Sequence, residues 1–315
     1  MNFSRRRFGG HVTGAAVGAA LAACGAEGSD GSTSKRAVVL VHGSWFGGWS
    51  YAQLIPLLAA KGITAVAPDL PGHGLTAKFP TSFGQRPLNA GTFATEPSPL
   101  ASISLSQYVT AILQTVDQLT AAGFGPISLL GHSMAGIPIT AAAEQSPSKI
   151  AKLIYLSAFM PVTAAPAAVY LQKAEAATSQ IGPLLMADFA QVGALRFDTN
   201  SADSTYRQGL KNTFCADISD DAFAAVAHLM QPDDPVQAFG TPTGATSAKW
   251  GSVARAYVGC TADNAVPPAL QKLFVSEADT LAPQTKTDFR TFSGSHTPFF
   301  SNPSGLADLL ATLIA

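Results

Sequence analysis

The sequence predicts an α/β fold: a mostly parallel central sheet of about six strands, with helices on both faces. Three observations carry that reading. Short β-branched or apolar runs alternate with helical patterns, as in repeated strand–helix–strand units. The strand runs are continuously apolar, as strands buried on both faces of a parallel sheet are. With 315 residues, 47% hydrophobic and only 12% charged, against about 25% charged in ordinary soluble domains, the chain can bury one large core.

Taken in order, residues 1–23 read as an address and are set aside from the fold. Arg5, Arg6 and Arg7 precede Phe8, an uncharged Ala/Gly/Val stretch runs from Gly9 to Ala23, and Leu21-Ala22-Ala23-Cys24 closes it. This order resembles a twin-arginine export signal ending in a lipobox, and the apolar run is short of the roughly 20 residues that span a bilayer. Cys24 is then the expected lipidation site, and 24–34 a Gly/Ser-rich tether. The expected location is periplasmic or cell-surface, membrane-associated through the lipid; cleavage without lipidation would give a secreted soluble protein. Losing three arginines and no acid leaves the mature chain mildly acidic. With a net charge of −1 and no run of like charges, nucleic acid is excluded as a partner.

Residues 35–315 form the expected globular body. Strands are predicted at 37–41, 64–67, 127–130, 153–156, 255–258 and 288–292. Leu54, Leu57 and Leu58 mark a helix over 50–60; Val109, Ile112, Leu113 and Val116 mark one over 105–119; another follows the third strand over 135–144. Residues 78–104, rich in Pro, Ser, Thr and Phe, are too long for a plain connection and read as a binding loop. Residues 161–250, between the fourth and fifth strands, read as a helical cap: helical patterns at 167–176 and 221–230, and a Pro-rich turn at Gln231-Pro232-Asp233-Asp234-Pro235.

Leu130-Gly131-His132-Ser133-Met134-Ala135-Gly136 sets a serine between a strand and a helix, the setting of a nucleophile elbow. The turn is sharp, so the residues two before and two after the serine must be small; Gly131 and Ala135 meet this. A helix N-terminus also favours developing negative charge. Val41-His42-Gly43-Ser44-Trp45 ends the first strand where a second oxyanion donor is needed, so the donors are expected to be the backbone N–H groups of Ser44 and Met134. His42 and His132 read as structural, His73 and His228 as loop or lining residues. A base and an orienting carboxylate complete such a site, in chain order Ser, acid, His. His296 follows both Ser133 and a strand end. Asp263, just past the fifth strand, is favoured over Asp69, which precedes the serine, and Asp279, late in a helix. Trp45, Phe46, Phe159, Met160 and Phe299 are expected pocket walls. Cys215 and Cys260 are the unmodified cysteines after processing, paired or free, and neither has metal-ligand spacing.

Together these residues resemble the α/β-hydrolase superfamily, in particular the branch with methyl-salicylate-type esterases and hydroxynitrile lyases of plants and their bacterial relatives. The resemblance implies Ser133 as nucleophile, His296 as base, Asp263 as acid and hydrolysis of a small-molecule ester through an acyl-enzyme, without metal or organic cofactor. Lyase-type members carry a lysine directly after the catalytic histidine; Thr297 stands there. Dehalogenases and epoxide hydrolases use an aspartate where Ser133 lies. The expected function is a serine carboxylic-ester hydrolase of small or medium apolar or aromatic esters. The alternatives are a cofactor-free perhydrolase or haloperoxidase-like enzyme, or a non-catalytic small-molecule-binding lipoprotein of the same fold.

Overall fold

The computed structural model describes residues 35–314; the export signal, Cys24 and the tether lie outside them. Six strands form one sheet: β1 (Ala37–Val41), β2 (Thr64–Val66), β3 (Ile127–His132), β4 (Ile150–Leu156), and two that follow the cap. The cap itself contributes β5 (Ala194–Arg196) and β6 (Asp233–Pro235), after which β7 (Ala254–Cys260) and β8 (Asp288–Phe292) complete the main sheet. Its order is β2-β1-β3-β4-β7-β8, with every pair parallel. Every residue of β1 and β3 is buried, while the edge strand β8 is half open and pairs Arg290 with Asp288 on its rim. Charge on an edge discourages pairing with another chain.

Alternation along β1 divides the core. Ala37, Val39 and Val41 face Tyr108, Val109, Ile112 and Val116 of helix Leu105–Ala121, whose first turn is closed by a capping box between Ser104 and Gln107. Val38 and Leu40 face Leu54 and Leu58 of helix Leu54–Ala59 and Leu306 and Leu310 of Pro303–Leu313. Helices therefore cover both faces. Strand order reverses between β1 and β3, and the crevice beyond their carboxyl ends is where open α/β sheets bind ligands. No helix among the described residues is long and apolar enough to cross a membrane.

The insertions differ from expectation in detail. Residues 78–104 carry elements of their own, a 3₁₀ turn Thr81–Gly84 and helix Ala90–Thr95; the Glu96 carboxylate accepts from the Thr81 and Ser82 backbone N–H groups. Residues 167–176 form two 3₁₀ turns, Ala167–Gln172 and Ala174–Ala176, broken where Lys173 is extended. The Pro-rich turn at 231–235 is instead strand β6, paired antiparallel with β5. Aspartates are poor strand formers, but Asp233 and Asp234 are fully buried, and each has a cationic or ring partner. Arg196 grips Asp233 with two hydrogen bonds of 2.7 Å and donates to the Phe93 and Glu96 carbonyls, tying cap to segment 78–104.

Candidate active site

Ser133 leaves β3 with φ 56°, a left-handed backbone that a non-glycine residue holds only when its surroundings over-determine it. Those surroundings are packed backbone. A side chain at Gly131 would meet the Ala135 carbonyl oxygen at 2.8 Å, and one at Gly136 would meet the Phe159 carbonyl oxygen at 1.8 Å, while the Phe159 N–H donates to the Ser133 carbonyl. Ala135, two after the serine, is accommodated; Gly136 is the position with no room. Ser133 is 7% exposed.

The loop after β1 presses directly on this elbow. A Cβ on Gly43 would lie 2.8 Å from Ser133 Cβ and 2.9 Å from His132 Nδ1. Beyond it, the Ser44 N–H has no acceptor among the described residues. Met134 is second in the turn Ser133–Ala135, where a helical N–H has no acceptor within its own helix. Both expected oxyanion donors are thus uncommitted.

From the next two strand ends come the acid and the base. Asp263 lies just beyond β7: Oδ1 accepts from the Ala265 and Val266 N–H groups, both at 2.8 Å, and Oδ2 from His296 Nδ1 at 2.8 Å. The bond to His296 places the imidazole proton on Nδ1 and leaves the buried Nε2 with no partner among the described residues, so its lone pair is free to take a proton. His132, next to Ser133, lies 4.5 Å from the His296 ring and donates from Nε2 to the His296 carbonyl. Asp69 and Asp279 are spent elsewhere, Asp69 on the Gly48 and Leu75 N–H groups and Asp279 on Thr287.

His42 donates from Nδ1 to the Gly43 carbonyl and accepts from the Leu70 N–H; burial and then nearby His73 hold it neutral, its pKa lowered to about 3. Burial, then His296, likewise holds His132 well below the ordinary histidine range. His228 is exposed and meets Asn200. Thr297 is buried and turned to the cap, donating to the Phe214 carbonyl at 2.8 Å and therefore accepting from the Cys215 thiol. Cys215 and Cys260 are free and buried, and burial pushes the Cys215 thiol up to about 12.

The five expected wall residues are at most 2% exposed. Phe46 and Phe299 stand edge-on to His132, and Phe159 packs on Phe239 and Phe274 with Met160 buried beside it in the same core. Trp45 stacks on Phe197 at 4.1 Å, beneath the cap. Sequence reasoning missed three polar residues. Gln271 lies on the buried stripe of helix Pro268–Leu281 with Phe274 and Ala278 and donates to the Val266 carbonyl and Asp263 Oδ2; a glutamine in an apolar helical stripe was the available signal. Asp217 accepts from the Ser295 N–H and hydroxyl, bracing the His296 loop. Asp234 accepts from the Ser44 hydroxyl at 2.9 Å and meets His73 Nε2 at 2.9 Å; its Asp-Asp-Pro setting reads as a turn.

A family model described as the alpha/beta hydrolase family matches residues 38–309. A chloroplastic Arabidopsis thaliana protein named for methylesterase 11 is 28% identical over 280 residues, 86% of this chain; the chain spans 62% of that relative's length. Pyrethroid hydrolase of Sphingobium wenxiniae is 26% identical over 285 residues, 87% of this chain and 86% of that one. In three dimensions the chain is similar to a pyrethroid hydrolase from Sphingobium faniae JZ-2, with a TM-score of 0.68 at 23% identity over 88% of this chain and 96% of that one. On the fold, the strand-end site and these matches, the chain belongs to the alpha/beta hydrolase family, in the branch of methylesterases and pyrethroid hydrolase.

Proposed function

We propose that the protein is a serine carboxylic-ester hydrolase acting on small or medium apolar or aromatic esters. The observation that carries the reading is the Asp263–His296 pair, whose Nε2 lone pair is uncommitted and whose ring lies 4.5 Å from that of His132, the residue preceding the strained Ser133. In this mechanism Ser133 Oγ attacks the ester carbonyl as His296 Nε2 takes its proton. The Ser44 and Met134 N–H groups receive the charge on the tetrahedral oxygen. His296 then protonates the departing alcohol, and water repeats the sequence to free the acid. Asp263 holds the imidazole in one tautomer and stabilises its charged form. Methylesterase and pyrethroid hydrolase relatives support ester chemistry; the aromatic surroundings, with Phe214 5.8 Å from His296, support an apolar substrate.

The test is hydrolysis of p-nitrophenyl acetate through hexanoate. Ser133→Ala and His296→Ala, both folded, are expected to lose at least about 10³-fold in kcat/KM, and a fluorophosphonate probe is expected to label Ser133. Unchanged turnover in Ser133→Ala would overturn the reading. The sequence of residues 4–8 and 21–24 supports export and lipid tethering at Cys24. In the native host Cys24→Ser is then expected to move the protein from the membrane to the soluble fraction.

A further inference from the structure

Among the described residues three hydrogen bonds hold Ser44 and Trp45, and all three come from the cap. Ser44 Oγ donates to Asp234 Oδ2 at 2.9 Å, Trp45 Nε1 donates to the Leu195 carbonyl at 3.0 Å, and the Gln231 N–H donates to the Trp45 carbonyl at 3.1 Å. Trp45 needs holding, because its φ of 63° is a left-handed backbone that side chains rarely adopt. Of the three, Asp234 involves the largest physical commitment. Alternation along β6 sends Asp233 to Arg196 and Asp234 to the other side, so two successive carboxylates are fully buried. Burying a charge is costly unless it is paired and hydrogen-bonded. Arg196 and its carbonyl partners account for Asp233 as a tie between cap and segment 78–104. Asp234 makes no such tie.

Its two contacts lead to the site instead. Oδ1 meets His73 Nε2 at 2.9 Å, and His73 Nδ1 meets the Pro71 carbonyl at 3.2 Å. The two His73 ring nitrogens thus face two oxygen acceptors, the Asp234 carboxylate and the Pro71 carbonyl. Oδ2 receives one neutral hydroxyl, that of Ser44, whose own backbone N–H lacks an acceptor among the described residues. Gly43, one residue back, touches the elbow, so a small rotation of the 43–45 backbone would re-aim that N–H relative to Ser133.

We propose that Asp234, paired with His73, is a positioning residue that fixes the direction of the Ser44 N–H through the Ser44 hydroxyl, so that the cap sets one of the two oxyanion donors. This rests on Ser133 as nucleophile and the Ser44 N–H as donor. Because the donor is used only when charge develops on the carbonyl oxygen, loosening it lowers kcat and leaves KM in place.

The experiment uses the whole protein with Ser44→Ala, which keeps the backbone N–H and removes only the tether, together with Asp234→Asn and the double variant. Asp234→Asn retains shape and one accepting oxygen, and keeps the test open should Ser44→Ala fold poorly. With a p-nitrophenyl ester, kcat is expected to fall about 10- to 100-fold in Ser44→Ala and less in Asp234→Asn, with KM within about twofold. Affinity for a trifluoromethyl ketone, whose adduct with the serine places an oxyanion in the hole, is expected to fall in parallel. The double variant is expected to be no worse than Ser44→Ala, since both act on one bond. Unchanged kcat and inhibitor affinity in both single variants, with or without a lower melting temperature, would overturn the proposal. Turnover that survives Ser133→Ala would instead overturn the reading beneath it.

Discussion

At the residue scale, the elbow turns on where a methyl group fits. Ala135 is fully buried within the hydrophobic core and so has its place; Gly136 faces the Phe159 carbonyl oxygen, where a Cβ would stand at 1.8 Å. Ala135→Gly is therefore expected to cost only about 0.5–1 kcal/mol, the backbone entropy of a glycine. Gly136→Ala must push backbone against backbone and is expected to cost about 3 kcal/mol, the upper end for overpacking. Denaturant midpoints of the two variants check the contrast, and equal losses would contradict it. The placement of Ser133, Asp263 and His296 beyond the ends of β3, β7 and β8 was legible because each follows a predicted strand; their roles are those proposed above. Gln271 left only the trace of a polar residue in an apolar helical stripe, and Asp217 and Asp234 left none, because their partners lie more than 70 residues away in the chain.

At the element scale, the sheet was more legible than the cap. Strands such as Ala37–Val41 are buried on both faces, so every residue of the run reports the same environment. Between β4 and β7 the helix expected at 221–230 is found at Asp220–Leu229, but residues 167–184 fold as 3₁₀ turns too short for local pattern to carry much information. The hairpin of β5 and β6 is the clearest case: the strand preference of Asp-Asp-Pro is poor, and what overrides it is Arg196, 37 residues earlier. Arg196→Ala leaves Asp233 buried without its cation and is expected to destabilise by about 3–5 kcal/mol. The loss belongs to the hairpin and to Phe93–Glu96, whose carbonyls lose the same guanidinium. Hydrogen exchange is expected to accelerate there before it does in β3 or β4. Replacing both partners by apolar residues, Arg196→Met with Asp233→Leu, is expected to recover much of the stability, since no unpaired charge remains. Uniform loss of protection across the main sheet in Arg196→Ala would contradict this assignment.

For the whole molecule, two buried neutral histidines tie folding to pH. His42 accepts the Leu70 N–H on Nε2, so protonation there breaks a bond as well as burying a charge; burial holds its pKa near 3. His132 is lowered in the same direction by burial and by His296. In the unfolded chain both return to about 6.5. Between the folded and unfolded values the unfolded chain binds protons that the fold does not, so stability rises with pH across this window. It is fully present above about 6.5 and is lost as pH falls toward 3 for His42. Each histidine contributes a slope of up to about 1.4 kcal/mol per pH unit. The interval from pH 6.5 down to 5 lies above the entry of Glu96, whose carboxyl is lowered from an ordinary value of 4.5 by its hydrogen bond from Ser82. Unfolding free energies across that interval are expected to slope with up to two protons in the wild type. His42→Gln, which can still accept the Leu70 N–H but cannot titrate, is expected to remove one proton's share of the slope. An identical slope in that variant would show that His42 does not contribute to the acid sensitivity of the fold.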